Sequence, residues 1–276
     1  HWLDKPISFD DAQDALLRLR PPAIIVGSAG SGKTALTLEK LRQVPGRVAY
    51  VTQSAFLAES SRALYFAAGW ERDDQDAEFL SLRALVESIE VPAGRPITFP
   101  EFRGWFERVK GSLKAIDAHQ VYEELRGVVT AQPEGALTRE AYLGLGVKQS
   151  IVPVGLRGPV YDLFERYRRM LGEASLFDPN LAAHALLAKA TPRFDFVVVD
   201  EVQDLTNVEL SLVLRTLARS GQFLLCGDSN QIVHPNFFAW SAVKSLFWRD
   251  PALAERQQLS VLGVNYRNTR AVTLLS

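Results

Sequence analysis

A glycine-rich stretch between an apolar run and a helical pattern constrains this chain most. Residues 27–34 read GSAGSGKT, directly after AIIV at 23–26 and before ALTLEKL at 35–41. A turn between a strand and a helix directs successive backbone N–H groups at one anion, and the helix dipole adds positive potential there. The spacing matches the phosphate-loop pattern G-x-x-x-x-G-K-[ST]. The sequence therefore predicts a nucleotide-binding α/β protein.

The residues of this loop divide into those that shape the backbone and those whose side chains contact the nucleotide. Gly30 and Gly32 allow a turn that bulkier residues would block. The Lys33 ammonium would reach the β and γ phosphates, and the Thr34 hydroxyl would bind Mg²⁺. The nucleotide-binding residues predicted in the loop are Gly27, Ser28, Ala29, Gly30, Ser31, Gly32, Lys33 and Thr34.

Composition bounds the class of protein. The chain has 276 residues, 47% of them hydrophobic and 23% charged, which suits one large or two modest globular domains. The net charge of −1 gives no overall basic surface, so any contact with nucleic acid must be local. The single cysteine, Cys226, excludes an internal disulfide and favours an intracellular protein, cytoplasmic or in the nucleoid if it is bacterial. No apolar run is long enough to cross a bilayer.

Short apolar runs that alternate with helical patterns predict a parallel sheet with helices around it. The runs with strand character lie at 23–26, 48–52, 194–199, 222–226 and, more weakly, 259–264. Helical patterns lie at 34–43 and 207–219. In such folds, phosphates bind at the carboxyl ends of the strands.

The separation of Thr34 from Asp200 along the chain is far longer than one or two crossover connections need. Between them, residues 71–190 show amphipathic stretches punctuated by prolines. We therefore expect a mostly helical subdomain inserted at 71–190. Its densest basic run, RYRRM at 166–170, is typical of a solvated helix face, with a contact to a nucleic-acid backbone as the alternative.

A second candidate site follows the apolar run at 194–199. The run ends in DEVQD at 200–204, which places carboxylates at a strand tip of the kind that meets a phosphate loop. Asp200 would hold Mg²⁺, commonly through water. Glu201 would accept the proton of the water that attacks the γ-phosphate.

Several segments resemble, in chain order, the motifs of superfamily 1 helicases of the UvrD/Rep/PcrA type. The most specific is DEVQD, which is similar to the second motif of that family. The other similar segments are FDDAQDALL (9–17), TFPEF (98–102), FDPNLAAHAL (177–186), GDSNQIV (227–233) and NYRNT (265–269). The resemblance extends over nearly the whole chain and is weakest at 55–95 and 130–160.

The resemblance implies a P-loop ATPase of RecA-like fold. Residues 1–70 and 191–276 would form the first RecA-like motor domain, 71–190 a mainly helical insertion, and a second RecA-like domain would belong to the same polypeptide. The implied activity is that of a DNA helicase or translocase, which couples hydrolysis of ATP with Mg²⁺ to movement on single-stranded nucleic acid from 3′ to 5′. Single-stranded DNA is the implied partner, with RNA as the alternative. The isolated chain is expected to be a nearly inactive ATPase.

Individual residues receive roles from the same resemblance. Gln13 would contact the edge of the adenine and Tyr266 would stack on its face. Beside Glu201, the implied catalytic residues are Gln231, which would sense the γ-phosphate, and Arg267, which would contact it. The residues implied to line the single-strand path are Thr52, Thr98, Phe99 and Trp240.

The chain departs from the motifs of the family at three places. VTQSAFLAE at 51–59 stands where the family has T-F-T-N-K-A-A, and Pro100 replaces the usual His. HPNFFAW at 234–240 stands in place of G-W-R-G-A, where Phe237, Phe238 or Trp240 would stack on a base.

Two alternatives to the helicase interpretation therefore stay open. One is a subunit of a helicase–nuclease of the RecB/AddA kind, which shares these motifs. The other is a helicase-like scaffold that binds nucleotide and nucleic acid without unwinding. An unrelated P-loop enzyme such as a kinase is disfavoured, because that class does not explain the three motifs DEVQD, GDSNQ and NYR together.

Overall fold

A parallel sheet, with six strands among the described residues, organises the fold. The computed structural model describes residues 14, 18–27 and 32–228, and the backbone of 260–264. The strands of the sheet are β1 Ala23–Gly27, β2 Gly46–Thr52, β3 Gln75–Ser81, β6 Phe196–Val199, β7 Phe223–Asp228 and β8 Ser260–Val264, in the order β3-β2-β6-β7-β1-β8. Two short strands, β4 Arg95–Pro96 and β5 Leu176–Phe177, form a separate parallel pair.

Helices pack on both faces of the sheet. Within the described residues, the α-helices are α1 Lys33–Arg42, α2 Ala55–Ala67, α3 Leu82–Ile89, α4 Phe99–Val109, α5 Ala118–Glu124, α6 Arg139–Leu143, α7 Val154–Glu173, α8 Pro179–Leu187 and α9 Asn207–Arg215. Successive strand side chains point to opposite faces, so each strand contributes to two cores. Ile24 and Val197 pack with α3 and α9, whereas Ile25 and Val198 pack with α1 and α2. Because both faces are covered, the central strands read as continuous apolar runs.

The register of the strands brings the predicted motifs to one edge of the sheet. Gly27, the last residue of β1, pairs with Asp228 of β7 on one side and with Val264 of β8 on the other. Asp200 directly follows β6, the other neighbour of β7. Gly27 of the phosphate-loop motif, DEVQD and the start of GDSNQIV therefore lie at the carboxyl edge of adjacent strands.

The predicted α/β class, with a parallel sheet flanked by helices, is confirmed. Strands are present at each of the five predicted runs, and Cys226 is a buried residue of β7. β3, which lies beyond residue 70, pairs with β2 along its whole length, and α3 packs on the same sheet. An edge strand tolerates polar residues, and β3 accordingly lacks an apolar run.

The helices between β4 and β5 have a hydrophobic core of their own. Its buried residues run from Ile97 to Leu171 and include Phe102, Phe106 and Phe164. This part contains α4, α5 and α7, and α5 continues into a π-helical turn at Leu125–Val129. None of the helices among the described residues is long and apolar enough to span a membrane.

Buried hydrogen bonds join this helical part to the loop after DEVQD. Asn180 Nδ2 donates to Thr130 Oγ1 at 2.9 Å, and Thr206 Oγ1 donates to Asn180 Oδ1 at 2.7 Å. The backbone N–H of Val208 donates to the carbonyl of Ala131 at 2.8 Å. Thr206 also caps α9, where it forms a capping box with Glu209. The helical part is therefore fixed to the loop that carries the acidic residues.

Candidate functional site

A buried lysine bonds to the last residue of β1, where the phosphate-loop motif begins. Lys33, the first residue of α1, is 7% exposed, and its Nζ donates to the carbonyl oxygen of Gly27 at 3.0 Å. Gly32 has a φ of 72° in the left-handed region, which glycine adopts without the steric cost of a Cβ. The first N–H groups of an α-helix lack partners within the helix and favour an anion. The Lys33 ammonium and the start of α1 thus lie together at the carboxyl end of β1.

Asp200 accepts hydrogen bonds from two other elements of the fold. Its Oδ2 accepts from Thr34 Oγ1 at 3.2 Å and from the hydroxyl of Tyr50, and its Oδ1 accepts from the backbone N–H of Glu201 at 3.0 Å. The residue is 4% exposed. Three donors fix the orientation of a buried carboxylate that would otherwise lose its hydration without compensation. The structure therefore brings together Thr34 and Asp200, the two residues predicted to bind Mg²⁺.

Tyr50 was not predicted as a site residue. It is 1% exposed, and its ring packs against Phe79 at 5.8 Å between centroids. Burial and the negative charge of Asp200 raise the pKa of the Tyr50 hydroxyl well above its usual value. The neutral hydroxyl is therefore a stable donor to Asp200. The one sequence signal is a polar group within the apolar run VAYVT, two residues before the strand ends.

Glu201 occupies a strained backbone position beside this pair. Its φ of 51° places a residue other than glycine in the left-handed region, a conformation that costs about 1–3 kcal/mol and recurs at functional sites. Burial raises the pKa of the Glu201 carboxyl, while a hydrogen bond from Gln203 acts in the opposite direction. A half-buried carboxylate with a raised pKa is a better proton acceptor than an exposed one.

Gln203 contacts both Glu201 and the end of β7. Its Nε2 donates to Glu201 Oε2, and its Oε1 accepts from the backbone N–H of Asp228 at 3.2 Å. The side chain lies against Gly227, where an added Cβ would be 2.8 Å from Gln203 Oε1. Sequence reasoning assigned Gln203 no role, since spacing within a motif does not show which neighbouring strand a side chain reaches.

The residues predicted on the single-strand path lie in different surroundings. Thr52, at the end of β2, is fully buried, and among the described residues nothing accepts from or donates to its Oγ1. Thr98 is exposed and caps α4 through its backbone and hydroxyl bonds to Glu101. Phe99 packs on the helical core, with ring centroids 5.4 Å from both His119 and Tyr122. The local contacts of Thr98 and Phe99 are thus those of a helix start.

Other predicted residues lie outside the described part of the chain. These are Gln13, Ser28, Ala29, Gly30, Ser31, Gln231, Phe237, Phe238, Trp240, Tyr266 and Arg267. Within the described ranges, no three or more His, Cys, Asp or Glu side chains are grouped as a metal site. Of the residues predicted to bind nucleotide or metal or to act in catalysis, the described ranges contain Gly27, Gly32, Lys33, Thr34, Asp200 and Glu201.

These features define an α/β protein with an ionisable site at the carboxyl edge of a parallel sheet. The sequence pattern of the family described as UvrD/REP helicase N-terminal domain matches residues 159–237, which include the acidic cluster and β7. This match confirms the resemblance to superfamily 1 helicases of the UvrD type. TPR and ankyrin repeat-containing protein 1 of Homo sapiens is 23% identical to the chain over 236 residues, which cover 75% of the chain and 8% of that protein. The chain thus corresponds to a small part of this relative.

Proposed function

We propose that the chain is the ATP-binding motor domain of a UvrD-like helicase or translocase, of RecA-like fold with a helical insertion. The observation that carries the proposal is the contact between Thr34 and Asp200 at 3.2 Å. It joins the end of the phosphate-loop motif to the first residue of DEVQD, as a shared nucleotide and metal site requires. The proposed motor comprises the six-stranded sheet, which includes β3, and the helices packed on it, which include α3. The proposed helical insertion comprises the separate core that begins at Ile97.

The donor set at this edge suits Mg²⁺. The hydroxyl of Thr34 and the carboxylate of Asp200 are hard oxygen ligands, and Mg²⁺ typically takes one or two protein oxygens together with phosphate oxygens and water. Two protein donors are therefore enough for a Mg²⁺ that is bound together with ATP. When bound there, the ion would neutralise charge on the phosphates.

The remaining groups supply positioning and proton transfer. Lys33 would leave the Gly27 carbonyl for the β and γ phosphates of ATP. Glu201, whose pKa is raised by burial, would accept the proton of the attacking water. Gln13 and Tyr266 would bind adenine, and Gln231 and Arg267 would contact the γ-phosphate, as the resemblance implies.

Single-stranded DNA is the proposed track, with RNA as the alternative and movement from 3′ to 5′. Support comes from Thr52, whose buried hydroxyl has no partner among the described residues at the edge where β2 ends. Unpartnered buried polar groups are rare in native structures, and a functional role is one explanation for them. Thr98, Phe99 and Trp240 would complete the path, by base stacking in the case of the aromatic residues.

The deciding experiment measures ATP hydrolysis by the full-length protein, with single-stranded DNA, single-stranded RNA, blunt duplex or no nucleic acid. We expect stimulation by single strands and binding that weakens as salt rises. Glu201→Gln should retain nucleotide binding and lose turnover by about 10²- to 10⁴-fold. Binding of nucleotide and nucleic acid without turnover in the parent would favour the scaffold alternative. Cleavage of the DNA would favour the helicase–nuclease alternative.

A further inference from the structure

We infer that Gln203 is a positioning residue for Glu201, holding the proposed proton acceptor to strand β7; the inference rests on the proposed function. The two residues lie on one short loop, with Gln203 in the 3₁₀ turn Val202–Asp204 and Glu201 immediately before it. Gln203 is 7% exposed, so its amide is not an adaptable surface group.

The orientation of the Gln203 amide follows from its backbone partner. The N–H of Asp228 can only donate, so the atom 3.2 Å from it must be the carbonyl oxygen of Gln203. The NH₂ group is then on the opposite side of the amide, where it donates to Glu201 Oε2. Because each end has one chemically possible role, a flipped amide would lose both hydrogen bonds.

The packing around the amide limits its movement. A Cβ on Gly227 would lie 2.8 Å from Gln203 Oε1 and 3.0 Å from Val202 Cγ1, so β7 passes directly against this side chain. Glu201 has a left-handed backbone and a flexible side chain. The amide of Gln203 therefore connects the Glu201 carboxylate to β7 through hydrogen bonds.

The position of Gln203 has a consequence for the reaction. Asp228 pairs with Gly27, the first residue of the phosphate-loop motif. The carboxylate of Glu201 is thus tied through Gln203 to the strand beside that loop, rather than only to its own turn. Displacing a reacting group by about 1 Å typically costs about 10²-fold in rate.

Two substitutions in the full-length protein separate positioning of Glu201 from support of β7. Gln203→Met removes both hydrogen bonds at similar size, and Gln203→Glu keeps an acceptor for Asp228 but replaces the donor to Glu201 with a second carboxylate oxygen. We expect both variants to lose kcat for ATP hydrolysis by about 10- to 100-fold, with the KM and the nucleotide Kd unchanged. The matched control is Gln222→Glu, the same chemical change at the amino end of β7, and it should keep the parental kcat.

A change on the neighbouring strand provides an independent route. Gly227→Ala should displace the Gln203 side chain and reduce kcat to a similar degree. The kcat of the double variant Gly227→Ala with Gln203→Met should then be little lower than that of either single variant, because both substitutions disrupt the same contact between Gln203 and Glu201. Full kcat in Gln203→Glu, or a loss explained by weaker nucleotide binding or a lower Tm, would overturn the inference.

A measurement without turnover distinguishes this inference from the proposed function. In nucleotide-free protein labelled with ¹⁵N-glutamine, the side-chain NH₂ resonances of Gln203 are identified by their loss in Gln203→Met. Glu201→Ala should shift these resonances, because it removes their acceptor. Unchanged resonances would refute the positioning contact whether or not the protein hydrolyses ATP. A shift in a protein that lacks ATPase activity would refute the proposed function and leave the contact established.

Discussion

The hydroxyl of Thr34 donates to the carboxylate of Asp200 at 3.2 Å across 166 positions of the sequence. Thr34 is the second residue of α1, which follows β1, and Asp200 directly follows β6. The contact therefore joins segments that follow two strands with β7 between them. Both atoms are oxygens of the kind that Mg²⁺ selects. The same pair would therefore change from a hydrogen bond to shared metal ligands when nucleotide binds.

Removing the Thr34 hydroxyl should weaken nucleotide binding only in the presence of Mg²⁺. Thr34→Val keeps the branched shape and loses the oxygen, whereas Thr34→Ser keeps the oxygen. We expect Thr34→Val to bind ATP more weakly by about 1–3 kcal/mol in Mg²⁺, and Thr34→Ser to bind almost as the parent does. Calorimetry with Mg²⁺ and then with EDTA measures this. A loss in Thr34→Val that persists in EDTA would contradict a metal role.

The bond from Tyr50 to Asp200 should contribute more to stability than a similar bond to a neutral acceptor. Tyr50→Phe keeps the ring in the core and removes the donor to a buried carboxylate, which should lower the free energy of unfolding by about 1.5–3 kcal/mol. The matched variant is Tyr65→Phe, since Tyr65 is equally buried and donates to the neutral amide of Gln75. The free energy of unfolding of Tyr65→Phe should fall by about 0.5–1.5 kcal/mol. Urea unfolding without Mg²⁺ measures both changes. Equal losses of unfolding free energy in Tyr50→Phe and Tyr65→Phe would contradict the expectation.

The central part of the fold could be predicted because its strands are apolar on both faces. β6 is FVVV, and all four residues are buried between helices. β3 could not be predicted in this way, because QDAEFLS alternates charged and apolar residues at the edge of the sheet. The charged side chains of β3 form ion pairs with other elements. Arg47 Nη2 of β2 lies 3.6 Å from Glu78 Oε1, and Glu78 also forms an ion pair with Arg193. Such pairs depend on tertiary structure and leave no periodic signal in the sequence.

The candidate site was predictable to the extent that motif chemistry fixes roles. The strand–loop pattern places Lys33, Thr34, Asp200 and Glu201 after the ends of β1 and β6, which are on the same edge of the sheet in the structure. Tyr50 and Gln203 were missed because each acts through a hydrogen bond to a different strand, which the order of residues does not encode. The contact of the helical part with the site loop through Asn180 was missed for the same reason.

The stability of the helical part should depend on pH through His184. Its Nε2 bonds to the carbonyl of Gln132 at 2.7 Å, and burial lowers the pKa of its imidazole below the usual 6.5. A lowered pKa means that the unfolded chain binds the proton more readily, so stability is full above about pH 6.5 and is lost as pH falls toward the folded pKa. His184→Gln retains a donor and should lose less stability than the parent between pH 7 and pH 5 in urea unfolding. Parallel losses in the two proteins would assign the pH dependence to other groups.

Lys33 should contribute to nucleotide affinity through its charge rather than through its packing. In the structure its ammonium donates to the Gly27 carbonyl at 3.0 Å, which holds the nitrogen at the carboxyl end of β1, where the phosphate-loop motif begins. Lys33→Met keeps most of the buried stem and removes the charge, so the affinity for ATP should fall by about 1.5–3 kcal/mol, the range for hydrogen bonds to charged groups. Calorimetry measures the change, and Lys40→Met, on the last turn of the same helix, controls for the loss of one positive charge. Because the phosphates carry the charge that Lys33 meets, adenosine should bind the parent and Lys33→Met equally. A parental ATP affinity in Lys33→Met, or an equal loss in Lys40→Met, would show that Lys33 is not the phosphate ligand.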